Sequence, residues 1–124
     1  YGCDICQEVC PYNQPAPVSQ DPVWQPRRAF DAPDLVALWQ ASDEELHRAI
    51  IGGPMRRAKL VGLRRNLAVA IGNTGDAAAV AVLDAGSPDR ASVADPMVQD
   101  HVVWARQIAR AKRGPEILPS QAEP

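Results

Sequence analysis

From residue 34 onward the apolar positions recur at steps of three and four, the period of a helix with one buried face. Leu35, Leu38 and Trp39 share such a face. Ser42 followed by Glu45 is a capping-box pattern, in which hydroxyl and carboxylate satisfy the first free amides of a helix; it predicts a helix to about Ile51, stopped by Gly52-Gly53-Pro54. A longer helix is predicted over residues 57–71, with Leu60, Leu63, Leu67, Ala70 and Ile71 on one face and Gly72-Asn73 as its stop. Asp76 is predicted to start another through Ala77, Val80 and Leu83, closed by Gly86, and a loop is predicted over 87–94. Asp95-Pro96 reads as an N-cap followed by proline at the first helical position. The last helix is expected to reach about Lys112, with Val98, Val102, Ala105 and Ala109 on its apolar face, widened by Met97, Trp104 and Ile108.

No strand pattern of similar strength occurs, so the predicted fold is mainly α. Asn66-Leu67-Ala68-Val69-Ala70 and His101-Val102-Val103-Trp104-Ala105 lie 35 residues apart at similar places in their helices. That period suits stacked helix pairs of the HEAT type, which bury their faces against one another. Ahead of these helices, Pro11, Pro15, Pro17, Pro22, Pro26 and Pro33 each lack an amide hydrogen and fix φ, predicting an extended connector pinned down by Trp24 and Phe30. The expected organisation is a ferredoxin-like cysteine segment over 1–13, a proline-rich connector over 14–33, a HEAT-like helical domain over 34–113 and a frayed tail over 114–124.

The chain of 124 residues is 46% hydrophobic but only 5% aromatic, which allows one small core of aliphatic side chains. Its apolar runs are far shorter than the ~20 residues a bilayer requires, and no signal peptide is recognisable. A cytoplasmic, monomeric protein without a membrane partner is expected. The chain starts at Tyr1, and a cysteine stands third, so a piece of a longer protein is expected.

The formal net charge of −2 by itself predicts no nucleic-acid binding, but its distribution says more. No Asp or Glu occurs from Leu46 to Gly75, whereas Arg48, Arg56, Arg57, Lys59, Arg64 and Arg65 do. Such an asymmetry points to an anionic partner. Arg57 and Arg64, seven apart, are expected on one flank of the helix, and Asn66 is placed either to read a base edge or to bond the backbone. The bland alternative is a solvated, solubilising helix face.

Cys3, Cys6, Cys10 and Pro11 have the spacing C-x2-C-x3-C-P, the last three cysteines and the proline of the bacterial iron–sulfur run. Thiolates are soft ligands suited to such clusters, and a two-residue gap lets two sulfurs of one turn reach adjacent corners. In two-cluster ferredoxins the final cysteine serves the other cluster, so Cys3 and Cys6 are assigned to one cube and Cys10 to its neighbour. A zinc site lacking its fourth ligand, or a disulfide with one spare thiol, stays open as an alternative.

The run from Tyr1 to Asn13 resembles the second cluster motif of epoxyqueuosine reductases. The segments from Gly52 to Asn73 and from Asp95 to Ala105 resemble the region C-terminal to that motif in the family, in the same order. The resemblance implies an oxidoreductase that uses cobalamin and two [4Fe–4S] clusters to remove the epoxide oxygen of epoxyqueuosine at the wobble position of a tRNA with a GUN anticodon, the last step of queuosine synthesis. It implies an external electron donor and a catalytic acid outside these residues, with no catalytic residue among them. It also implies cobalamin contact around Cys3 and Asp4, and a tRNA-binding surface made of Arg56, Arg57, Lys59, Arg64, Arg65 and Asn66. The chain departs from the family pattern at Tyr12 (commonly Trp), at Gln14 (often Arg) and at Ala105-Arg106 (Ala-Leu-Gly).

Two other classes compete: a ferredoxin-like electron-transfer module whose helical tail docks a protein, and a HEAT-type binding domain with a zinc-stapled start. Trp39 and Trp104 are expected in the core, Glu44 and Glu45 serve helix capping, and neither His47 nor His101 is given a catalytic role.

Overall fold

A computed structural model describes residues 5–14, 16–84 and 86–113. The chain divides into two compact units, 1–31 and 32–124. Cys3 and Asp4, and the tail over 114–124, lie outside the described residues.

The first unit holds one helical turn, α1 (Ile5–Glu8), whose hydrogen bonding is prolonged by Val9 N–H donating to Ile5 O at 3.0 Å and Cys10 N–H to Gln7 O at 3.3 Å. The Asn13 carboxamide closes the turn by donating to Gln7 O at 3.2 Å. The proline-rich stretch is not extended throughout. It forms two 3₁₀ turns, Pro22–Trp24 and Arg28–Phe30, the first capped by Asp21, which accepts from Val23 N–H at 2.9 Å. Asp, followed by proline at the first helical position, explains that turn. Trp24, expected to pin the connector, is 75% exposed, while Phe30 is half-buried.

The second unit is helical, with no strand among its described residues. Its helices are α2 (Leu35–Gln40), α3 (Asp43–Ile50), α4 (Lys59–Thr74), α5 (Ala77–Ala81) and α6 (Pro96–Arg113). The Ser42–Glu45 capping box forms in both directions: Glu45 N–H donates to Ser42 Oγ at 3.2 Å, and Ser42 N–H to Glu45 Oε2 at 2.8 Å. Asp95 caps α6 by accepting from Met97 N–H at 2.9 Å.

Three boundaries differ from expectation. The helix predicted from residue 57 is preceded by a 3₁₀ turn, Pro54–Ala58, and proper α-helix starts at Lys59. It runs past Gly72-Asn73 to Thr74, where Gly75 adopts the left-handed cap at φ 71°; Gly72 is committed to a helix contact instead. The loop over 87–94 contains a further 3₁₀ turn, Ala91–Ala94, that buries Val93.

The core consists of Trp39, Leu46, Ile50, Leu63, Leu67, Ala68, Ile71, Val80, Leu83, Val93, and the α6 row Val98, Val102, Ala105 and Ala109. Trp39 is the largest; its indole N–H donates to Val82 O at 3.1 Å, satisfying its one polar atom. Trp104 is a correction: it is 37% exposed, and Met97, expected to widen the same face, is 41% exposed, so both stand outside the buried row.

The two long helices pack side by side and point the same way. Near their starts, Lys59, Gly62 and Arg65 share a cleft with Asp95 and Met97; midway, Val69 shares one with His101 and Trp104. Further on, Gly72 meets Ala105, and at the far end Lys112 donates to Asn73 O at 2.7 Å, where the lysine charge offsets the negative pole of α4.

Candidate functional site

Two features carry chemistry. In the first unit, Cys6 lies on α1 and is exposed, and Cys10 lies just beyond and is half-buried; neither is in a disulfide. Cys3, the third member of the motif, lies outside the described residues, and among the described ones no three His, Cys, Asp or Glu side chains gather as a metal-holding group. Two unpaired, accessible thiols on one turn are a donor set that suits soft, iron–sulfide chemistry.

In the second unit the basic stretch splits into surface and interior. The turn Pro54–Ala58 ends the α3 connection and leaves Arg56 and Arg57 exposed. Lys59, also exposed, opens α4 with φ 58° and ψ 174°, a backbone conformation that is nearly exclusive to glycine. Arg65 is half-buried and its guanidinium donates to the Asn66 carboxamide oxygen at 3.2 and 3.0 Å. That oxygen is thereby engaged within the helix.

Arg64 has to be removed from the tRNA-facing set. It has 0% exposure and is buried in the core, whereas Arg57 is exposed. Its Nη1 donates to Trp39 O and, at 3.4 Å, to Leu38 O; its Nη2 donates to Ala41 O at 2.6 Å and to Asp43 Oδ1 at 3.0 Å. Its Nε donates to Ser92 Oγ at 3.3 Å, and its charge lies 5.7 Å from the centre of the Trp39 ring. The carbonyls at the C-terminal end of α2 have no helical acceptor role left to play, and the planar fork of arginine is suited to bond several at once. Arg64 thus joins the end of α2, the start of α3 and the 91–94 turn to α4. Trp39 O also accepts from Arg90 at 3.3 Å.

Asp43 completes this cluster. Ser92 N–H donates to its Oδ2 at 2.7 Å, and Ser92 Oγ–H to its Oδ1. Partial burial pushes its carboxyl pKa up. The hydrogen bonds from the Ser92 hydroxyl and backbone, then the bond and charge of Arg64, outweigh that and hold it below the ordinary carboxylate value. Burial draws the Arg64 guanidinium below its own ordinary value, with Asp43 opposing. Sequence periodicity contains the signal for this placement: Leu60, Arg64, Leu67 and Ile71 are spaced by four, three and four, so Arg64 stands in an apolar row.

Two clefts flank Lys59. One opens toward α6 and includes Arg65, Asp95 and Met97. The other opens toward α3 and is lined by His47, Ile50, Arg56, Lys59, Leu60, Val61 and Ser92. Sequence reasoning does not place His47 at this surface; only the packing of α3 against the 54–61 segment brings it there.

Taken by class, the second unit is a small helical domain with a cationic edge, and the first is a short thiol-bearing segment. The particular likeness is to proteins named epoxyqueuosine reductase. The chain is 33% identical over 113 residues to that of Shigella dysenteriae serotype 1, covering 89% of this chain and 28% of the relative. It is 38% identical over 109 residues to that of Alicycliphilus denitrificans, covering 85% and 30%. It is 30% identical over 122 residues to that of Salmonella typhimurium, covering 98% and 30%. The chain therefore spans roughly 30% of the length of the curated relatives it matches. No family model matches it, and no solved structure does. No helix among the described residues is long and apolar enough to cross a membrane.

Proposed function

We propose that the protein is an epoxyqueuosine reductase, and that this chain contributes cluster ligands and a tRNA-holding helical surface to it. The observation that carries the reading is the extent of one alignment: it takes in 98% of this chain and so reaches across both the cysteine turn and the basic start of α4. Cys3, Cys6 and Cys10 would hold [4Fe–4S] clusters, two in the whole protein, and Cys3 and Asp4 would contribute to binding cobalamin. When bound, the clusters supply single electrons, drawn from an external donor, and cobalamin supplies the reductive chemistry at the epoxide. The chain's own contribution is to bind and orient. Its thiolates fix the clusters, and Arg56, Arg57, Lys59 and Arg65 neutralise phosphates of a tRNA with a GUN anticodon, releasing counterions. The place of action is the cytoplasm, where tRNA is modified.

The parallel packing of α4 against α6, and the 35-residue echo between Val69 and Trp104, which line one cleft, support reading the second unit as HEAT-like. In such stacks equivalent helices of successive units lie side by side.

The test uses the intact protein purified without oxygen. Iron and acid-labile sulfide are measured, and epoxyqueuosine-containing tRNA is analysed by mass spectrometry after incubation with reductant and cobalamin. The expected result is stoichiometric iron and sulfide, loss of one oxygen from the nucleoside, and loss of both signals in Cys6→Ser with Cys10→Ser. A protein that binds zinc in place of iron, or leaves the epoxide intact, overturns the reading.

A further inference from the structure

We propose that the cleft between α3 and the start of α4 seats a ribose phosphodiester of the RNA chain, with His47 as an anion-contacting residue of that seat. The inference rests on the tRNA reading above and adds to it a place and a residue.

The cleft measures about 470 Å³, within the range of small-ligand sites. Its lining contains three nitrogen donors, from His47, Arg56 and Lys59, and no carboxylate. The neighbouring acids are already engaged: Glu44 pairs with Arg48 at 3.6 Å, and Asp43 accepts from Ser92 and Arg64. The remaining lining is Ser92, engaged with Asp43 and Arg64, and the apolar Ile50, Leu60 and Val61. A bare inorganic anion gains nothing from such a floor, whereas the carbon face of a sugar does. Phosphate beside ribose matches donors beside an apolar floor.

Lys59 settles which source of that chemistry the surface favours. It lines this cleft and also the one toward α6 that contains Arg65. A chain with successive phosphates occupies both clefts around one shared lysine, while a single nucleotide fills only one. The glycine-like backbone of Lys59, at φ 58° and ψ 174°, sits at that shared position.

The experiment measures affinity for an anticodon stem-loop RNA at several salt concentrations, using the intact protein and thermal melts to verify folding. His47→Glu is expected to weaken binding about tenfold or more, and Arg56→Ala to lower the salt slope by about one. His47→Arg is expected to keep or raise affinity, because it keeps nitrogen donors at this position and adds a positive charge. Arg57→Ala combined with Arg65→Ala lies outside this cleft and reports on the tRNA reading alone. If that pair weakens binding while His47→Glu and Arg56→Ala do not, the cleft proposal is overturned and the reading survives. If none of the variants changes affinity, both fall. Adenosine monophosphate is the competitor that separates the sources: displacement of the stem-loop at stoichiometric excess would make this a mononucleotide site and overturn the assignment to an RNA chain.

Discussion

Gly72 of α4 lies against Ala105 of α6 so closely that a Cβ at residue 72 would stand 2.6 Å from Ala105 Cα and 2.7 Å from its Cβ. Both residues are buried, and the obstruction is backbone, which cannot swing aside. Gly72→Ala is therefore expected to separate the two long helices, although alanine is the better helix former. Overpacking of this sort costs about 1–3 kcal/mol, and a domain of this size loses roughly 4–8 °C of melting temperature per kcal/mol. Thermal melts check it. An unchanged or raised melting temperature would show that the helices are not in contact there.

Arg64→Ala is expected to be among the most damaging single changes in the second unit. It strips donors from the carbonyls of Trp39 and Ala41 and leaves Asp43 without its cation. Asp43 keeps partial solvent access, so the loss lies chiefly in the acceptors left without a donor, about 1–3 kcal/mol. Arg64→Lys is expected to recover only part of the loss, because an ammonium cannot reproduce the fork that bonds several acceptors. Denaturant titration of the two variants gives the ranking, and equal stability of Arg64→Lys and the parent chain would contradict it.

The cluster also sets an acid limit. Asp43 titrates below its ordinary value of 3.8 in the folded chain. Its contribution is therefore complete above about pH 4 and is lost as the pH falls through and below that value. Glu45, lowered by the Ser42 backbone and hydroxyl, acts in the same sense. Melts between about pH 6 and pH 2 should show stability declining toward acid, with a shallower decline in Asp43→Asn, which is also less stable at neutral pH. An identical acid slope in that variant would remove Asp43 from the account.

Lys59→Gly is expected to stabilise the chain by about 1 kcal/mol. A non-glycine residue in this backbone region carries roughly 1–3 kcal/mol of strain, more than the entropy that glycine adds to the unfolded state. Lys59→Ala keeps the strain and should not stabilise. The same glycine variant is expected to bind the stem-loop RNA more weakly, so stability and affinity move in opposite directions.

Much of the helical unit is legible from periodicity and caps. Ser42 with Glu45, Asp95 with Pro96, and the row Val98, Val102, Ala105, Ala109 stand where the pattern puts them, because each depends on neighbours within a turn or two. The end of α4 is not, because Gly72 and Gly75 both offer a stop, and only the approach of Ala105 decides which one is spent on packing. Arg64 reads as surface because it sits in a run of basic residues; its place in the apolar row is visible, but its acceptors come from segments more than twenty residues away. The exposure of Trp104 and the presence of His47 beside Arg56 depend on how helices pack, which no local pattern encodes. Of the candidate site, the cysteine spacing and the basic stretch are legible as chemistry, while the division of that stretch into anchor and surface is not.

The common direction of α4 and α6 has an electrostatic result that does not depend on any side chain. Aligned peptide dipoles leave about half a positive charge at the start of each helix, and both starts border the cleft that holds Lys59, Arg65 and Met97. Antiparallel neighbours would cancel at each end. Here the two poles add, and Asp95, which caps α6 in the same cleft, takes up part of that charge, leaving the start of α4 as the more positive of the two.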